Sequence, residues 1–254
     1  MSTSPAAIRL LRHATLLVRY GGRQLLVDPM LADAGSTPPI ENSPNEDRNP
    51  LVPLPTFDLA NVDAVVVTHT HRDHFDEAAM ETLAADLPVF CQPPDEEFIA
   101  GAGFTDVRPV EDSVEWEGIQ LSRTGGRHGH DDLAEEMGPV SGFVFDAEDE
   151  PTLYVAGDTR WCSALCNAFA KHDPDAVVLN AGGARFTEGK PITMTAADVE
   201  RVCRSLPDAK IIAVHMDAIN HCLESRADLH QALEEEGVIA QVEIPDDGEW
   251  VTLA

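Results

Sequence analysis

The most informative stretch of the sequence for the fold is Val65-Val66-Val67-Thr68-His69-Thr70-His71-Arg72-Asp73-His74-Phe75-Asp76. Its three valines end an apolar run that is typical of a buried strand. His69 and His71 follow at a spacing of two, which places both side chains on one side of an extended backbone. Asp73 and His74 come next, at the turn into a predicted helix. Imidazole and carboxylate groups are common ligands of divalent ions, so this strand end is a candidate metal site.

Apolar and periodic segments continue along most of the chain. Strands are predicted at 14–20, 24–27, 64–67, 142–145, 152–156, 176–179 and 211–214. Helices are predicted at 76–85, 95–102, 160–171, 195–205 and 223–236. Strands come first and then alternate with helices, which indicates a layered α/β architecture. We expect a single domain over residues 1–254, because a chain of 254 residues can form one large core.

Residues 34–55 interrupt this pattern, since they are rich in proline and lack a regular period. A connection of this length inside a compact domain is usually a functional lid or a disordered segment. The stretch Leu51-Val52-Pro53-Leu54-Pro55 offers apolar anchors that a disordered linker would not need. This favours the lid, with disorder as the alternative.

The composition is strongly acidic: 17 Lys and Arg against 45 Asp and Glu give 17 − 45 = −28. Nucleic acids and anionic membranes are bound through clustered Lys and Arg, so neither is expected as a partner. A membrane span of ~18 apolar residues is not found. Five cysteines without CxxC spacing indicate reduced thiols, and we expect a cytoplasmic protein. The charge suggests a halophilic source as a hypothesis.

The pattern His-x-His-x-Asp-His at 69–74 resembles the signature of the metallo-β-lactamase superfamily of binuclear metallohydrolases. Further ligands of that superfamily follow strands, in a set order. The matching residues here are His128 after Gly125-Gly126, Asp158 after Gly157, and His215 after an apolar run. The resemblance covers nearly the whole chain. It implies an αββα four-layer sandwich of two mixed β-sheets with helices on both outer faces.

The same resemblance implies seven protein ligands for two divalent metal ions, most simply zinc, with manganese and iron as alternatives. The first metal would be held by His69, His71 and His128. The second would be held by Asp73, His74 and His215. Asp158 would bridge both. Two ions roughly 3.5–4 Å apart make hydroxide available near neutral pH, and Asp73 and Asp158 would orient that nucleophile as catalytic residues.

Two of these assignments have competitors nearby. His130 lies two residues after His128, but the glycines before His128 match the turn of the superfamily better. His221 competes with His215, which directly ends a strand. His221 would then contact substrate or begin a helix.

The N-terminal segment His13-Ala14-Thr15-Leu16-Leu17-Val18 has a more local likeness. With the later Asp28-Pro29, it resembles the branch that includes L-ascorbate-6-phosphate lactonase and the N-acylphosphatidylethanolamine phospholipases. His13 is therefore a candidate substrate-binding residue, and a structural hydrogen bond is the equal alternative. Asp28 is expected to accept the second N–H of a ligand histidine. Arg185 is a further substrate candidate, or else a surface residue paired with an acid.

Residues and resemblance together predict a metal-dependent hydrolase that cleaves a small ester, lactone or phosphoester. The partner is a small-molecule substrate, and a homo-oligomer stays open. One alternative is a nuclease or phosphodiesterase of the same superfamily, which the charge disfavours. Another is an oxidoreductase resembling the persulfide dioxygenases, which use one iron at the first site. Metal analysis distinguishes this oxidoreductase from the hydrolase.

Overall fold

The computed structural model of the chain describes residues 5–253, in two seven-stranded sheets. The strands of the N-terminal sheet are β1 (Ala7–Arg12), β2 (Thr15–Tyr20), β3 (Arg23–Val27), β4 (Ala64–Val67), β5 (Pro88–Cys91), β6 (Asp106–Pro109) and β14 (Trp250–Thr252). Their order is β14-β1-β2-β3-β4-β5-β6. Pairing is antiparallel from β14 to β3 and parallel from β3 to β6.

The C-terminal sheet repeats this arrangement of antiparallel and parallel strands. Its strands are β7 (Ser113–Trp116), β8 (Ile119–Gly125), β9 (Ser141–Ala147), β10 (Leu153–Val155), β11 (Ala176–Asn180), β12 (Lys210–Val214) and β13 (Val242–Glu243). Their order is β13-β12-β11-β10-β9-β8-β7. Pairing is antiparallel from β7 to β10 and parallel from β10 to β13.

Helices connect neighbouring parallel strands, except for the helix Asp131–Glu136, which lies between the antiparallel β8 and β9. They are α1 (Glu77–Thr82), α2 (Glu96–Gly101), α3 (Asp131–Glu136), α4 (Ser163–His172), α5 (Ala196–Ser205) and α6 (Arg226–Glu235). Asp76 caps α1 by accepting from the Ala79 N–H, and α6 begins with a capping box formed by Ser225 and Asp228. Among the described residues, no helix combines the length and the apolar character needed to cross a membrane.

Side-chain alternation along the central strands produces the layers. In β4, Val66 points into the cluster between the two sheets, whereas Val65 and Val67 point to the cluster under α1 and α2. In β11, Val178 faces the other sheet and Val177 faces the layer of α4, α5 and α6. Both faces of each sheet are therefore buried, and the predicted αββα sandwich is confirmed. A single domain stays a prediction.

Each predicted strand and helix overlaps an observed element, and their ends differ by no more than three residues. The sequence did not predict α3 or several strands, among them β5, β6 and β7. These strands have four residues each, and β6 and β7 are half-buried or exposed along much of their length. Short segments without a clear apolar period give a weak signal.

Candidate metal centre

The predicted ligands meet at one edge of the sandwich, where strands of both sheets end. His69 follows β4 of the N-terminal sheet, and His71 lies in the turn that leads to α1. His128, Asp158 and His215 follow β8, β10 and β12 of the C-terminal sheet. The carboxyl ends of parallel strands meet at one sheet edge, so residues far apart in the chain converge there.

The first group of side chains consists of His69, His71 and His128, whose donor atoms lie within 4.8 Å of one another. His69 Nε2 and His71 Nδ1 are 3.1 Å apart. His128 Nδ1 donates to the carbonyl oxygen of Ile192 at 3.0 Å, which leaves Nε2 facing the group. Three imidazole nitrogens directed at one point suit a divalent cation such as zinc.

The second group consists of His13, Asp73, His74 and His215, again with donor atoms within 4.8 Å. His74 Nε2 and His215 Nε2 are 3.3 Å apart. His215 Nδ1 contacts Cys222 Sγ at 3.4 Å. The structure thus brings together the three side chains predicted for the second metal and adds His13 to them.

Asp158 lies between the two groups. Its Oδ2 is 3.4 Å from both His74 Nε2 and His128 Nε2, and its Oδ1 is 3.2 Å from His215 Nε2. Asn180, which ends β11, donates from Nδ2 to Asp158 Oδ1 at 2.7 Å. One carboxylate therefore reaches histidines of both groups, which is the placement that a bridging ligand requires.

Asp28 holds the ring of His74 from outside the centre. His74 Nδ1 donates to Asp28 Oδ2 at 2.8 Å, and the backbone N–H and hydroxyl of Thr68 donate to the same carboxylate at 2.7 Å. This is the contact predicted for Asp28, a carboxylate that accepts the second N–H of a histidine at the centre. Such a bond fixes the tautomer that leaves Nε2 free as a donor to a metal.

The backbone at this edge is held in an uncommon conformation. His13, Asp28 and His215 have φ angles of 59°, 46° and 71°. Left-handed backbone at non-glycine residues costs of order 1–3 kcal/mol each and is concentrated at functional sites. Gly182 packs against one of these turns, where a Cβ would overlap the carbonyl oxygen of His215.

Burial determines the protonation of two histidines of the centre, His69 and His215. Desolvation lowers the pKa of His69 and of His215 well below 6.5, although Asp158 opposes it. Both rings are therefore neutral near pH 7, which is the form that binds metal.

The carboxylates set the charge that the centre prefers. Burial would raise the pKa of Asp158, but His215, His74 and His128 hold it well below 3.8. Burial would lower the pKa of His74, yet Asp158, Asp28 and Asp73 raise it well above 6.5. The carboxylates thus favour a positive charge beside His74, which a proton or a divalent cation can supply. By its donors and its charge, the site fits a metal.

The two competing histidines lie outside both groups. His130 is the residue before α3 and is half-buried. His221 is buried but belongs to neither group, and it faces a neighbouring cavity. This placement favours His128 and His215 as the residues of the centre.

A cavity of about 550 Å³ opens beside the two groups. His71, Asp73, His128 and His221 line its polar side. Its larger apolar lining residues are Met30, Ile40, Met137, Phe186 and Ile219. Arg72 is the cation among the lining residues that the structure describes, and Asp76 and Glu77 lie near it in sequence and also line the cavity. The pocket is mainly apolar beyond the metal groups.

Residues 34–55, predicted as a lid, form one wall of this cavity. The lining residues from this segment are Ser36, Thr37, Pro38, Ile40, Asn49 and Pro50. Thr37 and Asn49 pair as an isolated bridge. Asn220 joins the segment to the core, because its side chain bonds Asn49 Nδ2 at 2.8 Å and the backbone of Ile40 and Asn45 at 2.6–3.0 Å. A movement of this segment stays a prediction.

Two of the predicted substrate residues do not line the cavity. Arg185 is exposed, and its backbone N–H donates to the carbonyl oxygen of His221 at 3.0 Å. His13 is completely buried and is not a lining residue of the cavity, although it contacts Asp73, which does line it. His221 is the one of the three that faces the cavity.

Sequence reasoning missed Asn180, Cys222 and Asn220. Asn180 ends a buried strand just as the predicted ligands follow theirs, and this position was a usable signal. Asn220 and Cys222 flank His221 in a segment without regular secondary structure, so no pattern marked them.

A family model described as a beta-lactamase superfamily domain matches residues 23–216. The chain belongs to the beta-lactamase superfamily. Within this superfamily, it is 39% identical over 248 residues to UPF0173 protein YddR of Bacillus subtilis (strain 168), an alignment that covers 95% of this chain and 98% of that protein. A UPF0173 metal-dependent hydrolase of Azorhizobium caulinodans is 24% identical over 250 residues. That alignment covers 94% of this chain and 96% of the Azorhizobium protein.

Two solved structures are similar over nearly the whole chain. One is a possible metal-dependent hydrolase from Veillonella parvula DSM 2008, with a TM-score of 0.95, 38% identity, and coverage of 98% of this chain and 100% of that chain. The other is isothiocyanate hydrolase from Delia radicum gut bacteria, with a TM-score of 0.92, 36% identity, and coverage of 97% and 98%. The predicted superfamily is confirmed, and with it the prediction of an enzyme of the metal-dependent hydrolase class. The lactonase branch stays a prediction.

Proposed function

We propose that this metal-dependent hydrolase holds two divalent ions and adds water to an electrophilic carbon of a small, uncharged substrate. The observation that carries the proposal is the pair of His/Asp groups joined through Asp158 beside an apolar cavity. His69, His71 and His128 would hold one ion. Asp73, His74 and His215 would hold the other.

The chain's own residues orient these groups. Asn180 occupies Asp158 Oδ1, so the Oδ2 atom is directed at His74 and His128. Asp28 and the Ile192 carbonyl each take an Nδ1–H of a histidine, which directs both Nε2 atoms inward. When bound, two divalent ions would supply an activated water and polarise the substrate. Asp73 and Asp158 are the carboxylates that would orient this water.

The cavity favours a substrate without negative charge. Among the described residues that line the cavity, Arg72 is the cationic one. Three carboxylates line the same cavity, those of Asp73, Asp76 and Glu77. A phosphoester needs cations to receive its oxygens, so this lining supports an ester or lactone more than a phosphoester. Met30, Ile40, Phe186 and the other apolar lining residues would contact the substrate's hydrocarbon part.

An isothiocyanate is the substrate class that we favour, because the similar gut-bacterial protein is named isothiocyanate hydrolase. An isothiocyanate is small, uncharged and electrophilic at its central carbon, which suits the apolar cavity. The oxygen of water would add to that carbon, and the carbon–nitrogen bond would break. The nitrogen would take both protons of water, leaving an amine and carbonyl sulfide. Esters and lactones would be attacked at carbon in the same way.

The test combines metal analysis with a substrate panel. We expect two equivalents of zinc or manganese per chain, loss of turnover on chelation, and amine release from benzyl isothiocyanate. A γ-lactone, a p-nitrophenyl ester and bis-p-nitrophenyl phosphate serve as comparison substrates. Faster cleavage of the phosphodiester than of the carbon electrophiles would overturn the substrate class. A single iron per chain would overturn the two-metal hydrolase.

A further inference from the structure

His13 lies in the turn between β1 and β2 and is fully buried. Its Nε2 is 3.1 Å from Asp73 Oδ2, and its ring centroid is 3.6 Å from that of His215. The backbone N–H of His215 donates to the His13 carbonyl oxygen at 3.0 Å. Side chain and backbone of His13 thus both join it to the second metal group.

The two ring nitrogens of His13 have different surroundings. Nε2 points at Asp73 and belongs with His74 and His215 to the second group, in which the donor atoms lie within 4.8 Å of one another. Nδ1 is buried and has no hydrogen-bond partner among residues 5–253. The ring is therefore held through Nε2 and through its packing against His215, both at the centre.

We propose that His13 Nε2 is an eighth donor of the centre, on the second metal position. The inference rests on the proposed two-metal function and deepens it. The first position would have three imidazoles, whereas the second would have three imidazoles and the Asp73 carboxylate, in addition to the shared Asp158. Loss of His13 should therefore weaken the binding of the ion at the second position much more than that of the ion at the first.

Two substitutions separate coordination from a simple hydrogen bond. His13→Gln keeps an amide N–H that can reach Asp73 but removes the imidazole lone pair. His13→Asn loses both, and asparagine accepts the left-handed backbone at this position, where φ is 59°. His221→Gln is the matched control, because His221 is a buried histidine at the cavity that belongs to neither group.

The experiment titrates the full chain, loaded with zinc, against chelators of graded affinity. The wild-type protein should release two ions. Both His13 variants should release one ion with near wild-type affinity and the other at least ~10-fold more readily, the size expected for loss of a metal-site partner. His221→Gln should match the wild type. Wild-type affinity for both ions in His13→Gln would overturn the inference and leave the two-metal proposal intact. Fewer than two ions in the wild type would overturn that proposal itself.

A measurement on the wild-type protein does not depend on how the variants fold. The chain is loaded with isotope-labelled cadmium, and its histidines carry labelled nitrogen. We expect a scalar coupling between cadmium and His13 Nε2, as for the other donors of the second position. Coupling to His74 and His215 without coupling to His13 would also overturn the inference.

Discussion

The metal centre and the cavity wall opposite it are held in different ways. Side chains of the centre, such as His69, Asp158 and His215, are buried, follow strands of both sheets and have bonded partners. The wall formed by residues 34–55 has one isolated bridge and is attached to the rest of the chain by scattered hydrogen bonds, among them those of the Asn220 side chain. The sheets therefore position the reactive groups, while a long connection shapes the space for the substrate. The two regions should respond separately to mutation.

The largest effect is expected from Asp158→Ala. Asp158 reaches histidines of both groups, so its loss should weaken both ions by more than the ~10–100-fold typical of outer partners and abolish turnover. Zinc content and hydrolysis of the best substrate are measured together. Asp106→Ala, at a half-buried carboxylate paired with Arg108 on the edge strand β6, is the control. Full retention of metal would refute the bridging role.

A comparison of His128→Ala with His130→Ala tests which of these two histidines belongs to the metal centre. His128 lies in the first group and is fixed by the Ile192 carbonyl, whereas His130 is half-buried at the start of α3. We expect His128→Ala to lose zinc affinity by at least ~10-fold and His130→Ala to keep it. Chelator titration of both variants measures this. The reverse order would transfer the assignment to His130.

The cavity wall is tested by Asn220→Ala. This change removes the side chain that bonds Asn49, Ile40 and Asn45, without touching the metal groups. A loss of about 1 kcal/mol of substrate binding would raise KM roughly fivefold, with zinc content unchanged. Kinetics and metal analysis are compared with Asn61→Ala, an exposed site. If zinc were lost instead, residues 34–55 would stabilise the metal centre rather than contribute to substrate binding.

The smallest expected effect concerns stability rather than activity. His221 should make the free energy of unfolding depend on pH. Burial lowers the pKa of His221 from 6.5 to about 4. Between these values the unfolded chain binds a proton that the folded protein does not, so stability falls as the pH falls through 6.5 toward 4. At about pH 5 the loss is roughly 2 kcal/mol.

His221→Gln should remove this part of the pH dependence. Denaturant unfolding of the metal-loaded variant and of the wild type is compared at about pH 7.5 and about pH 5. His230→Gln is the control, since His230 is exposed on α6, away from the cavity. Equal slopes with pH for wild type and His221→Gln would show that His221 is not held neutral by its surroundings.

Local patterns predicted much of the fold and most of the residues that meet at the centre. His69, His71, Asp73 and His74 lie within one short segment after an apolar strand, and such a segment carries its own spacing. Asp28 was predicted from the resemblance of Asp28-Pro29 to the lactonase branch. Contacts over long separations were not predicted: Asn49 and Asn220 are 171 positions apart. No local period records such a pair.

The sequence by itself determined the superfamily, the layered architecture and the kind of donors at the centre, because strand periodicity and ligand spacing are properties of neighbouring residues. The tertiary structure alone decided that His13 joins the second group, that Arg185 lies outside the cavity, and that residues 34–55 form its wall. These placements depend on how two sheets pack and where their strand ends meet. Packing joins residues that the chain keeps far apart, so only the folded structure could show them.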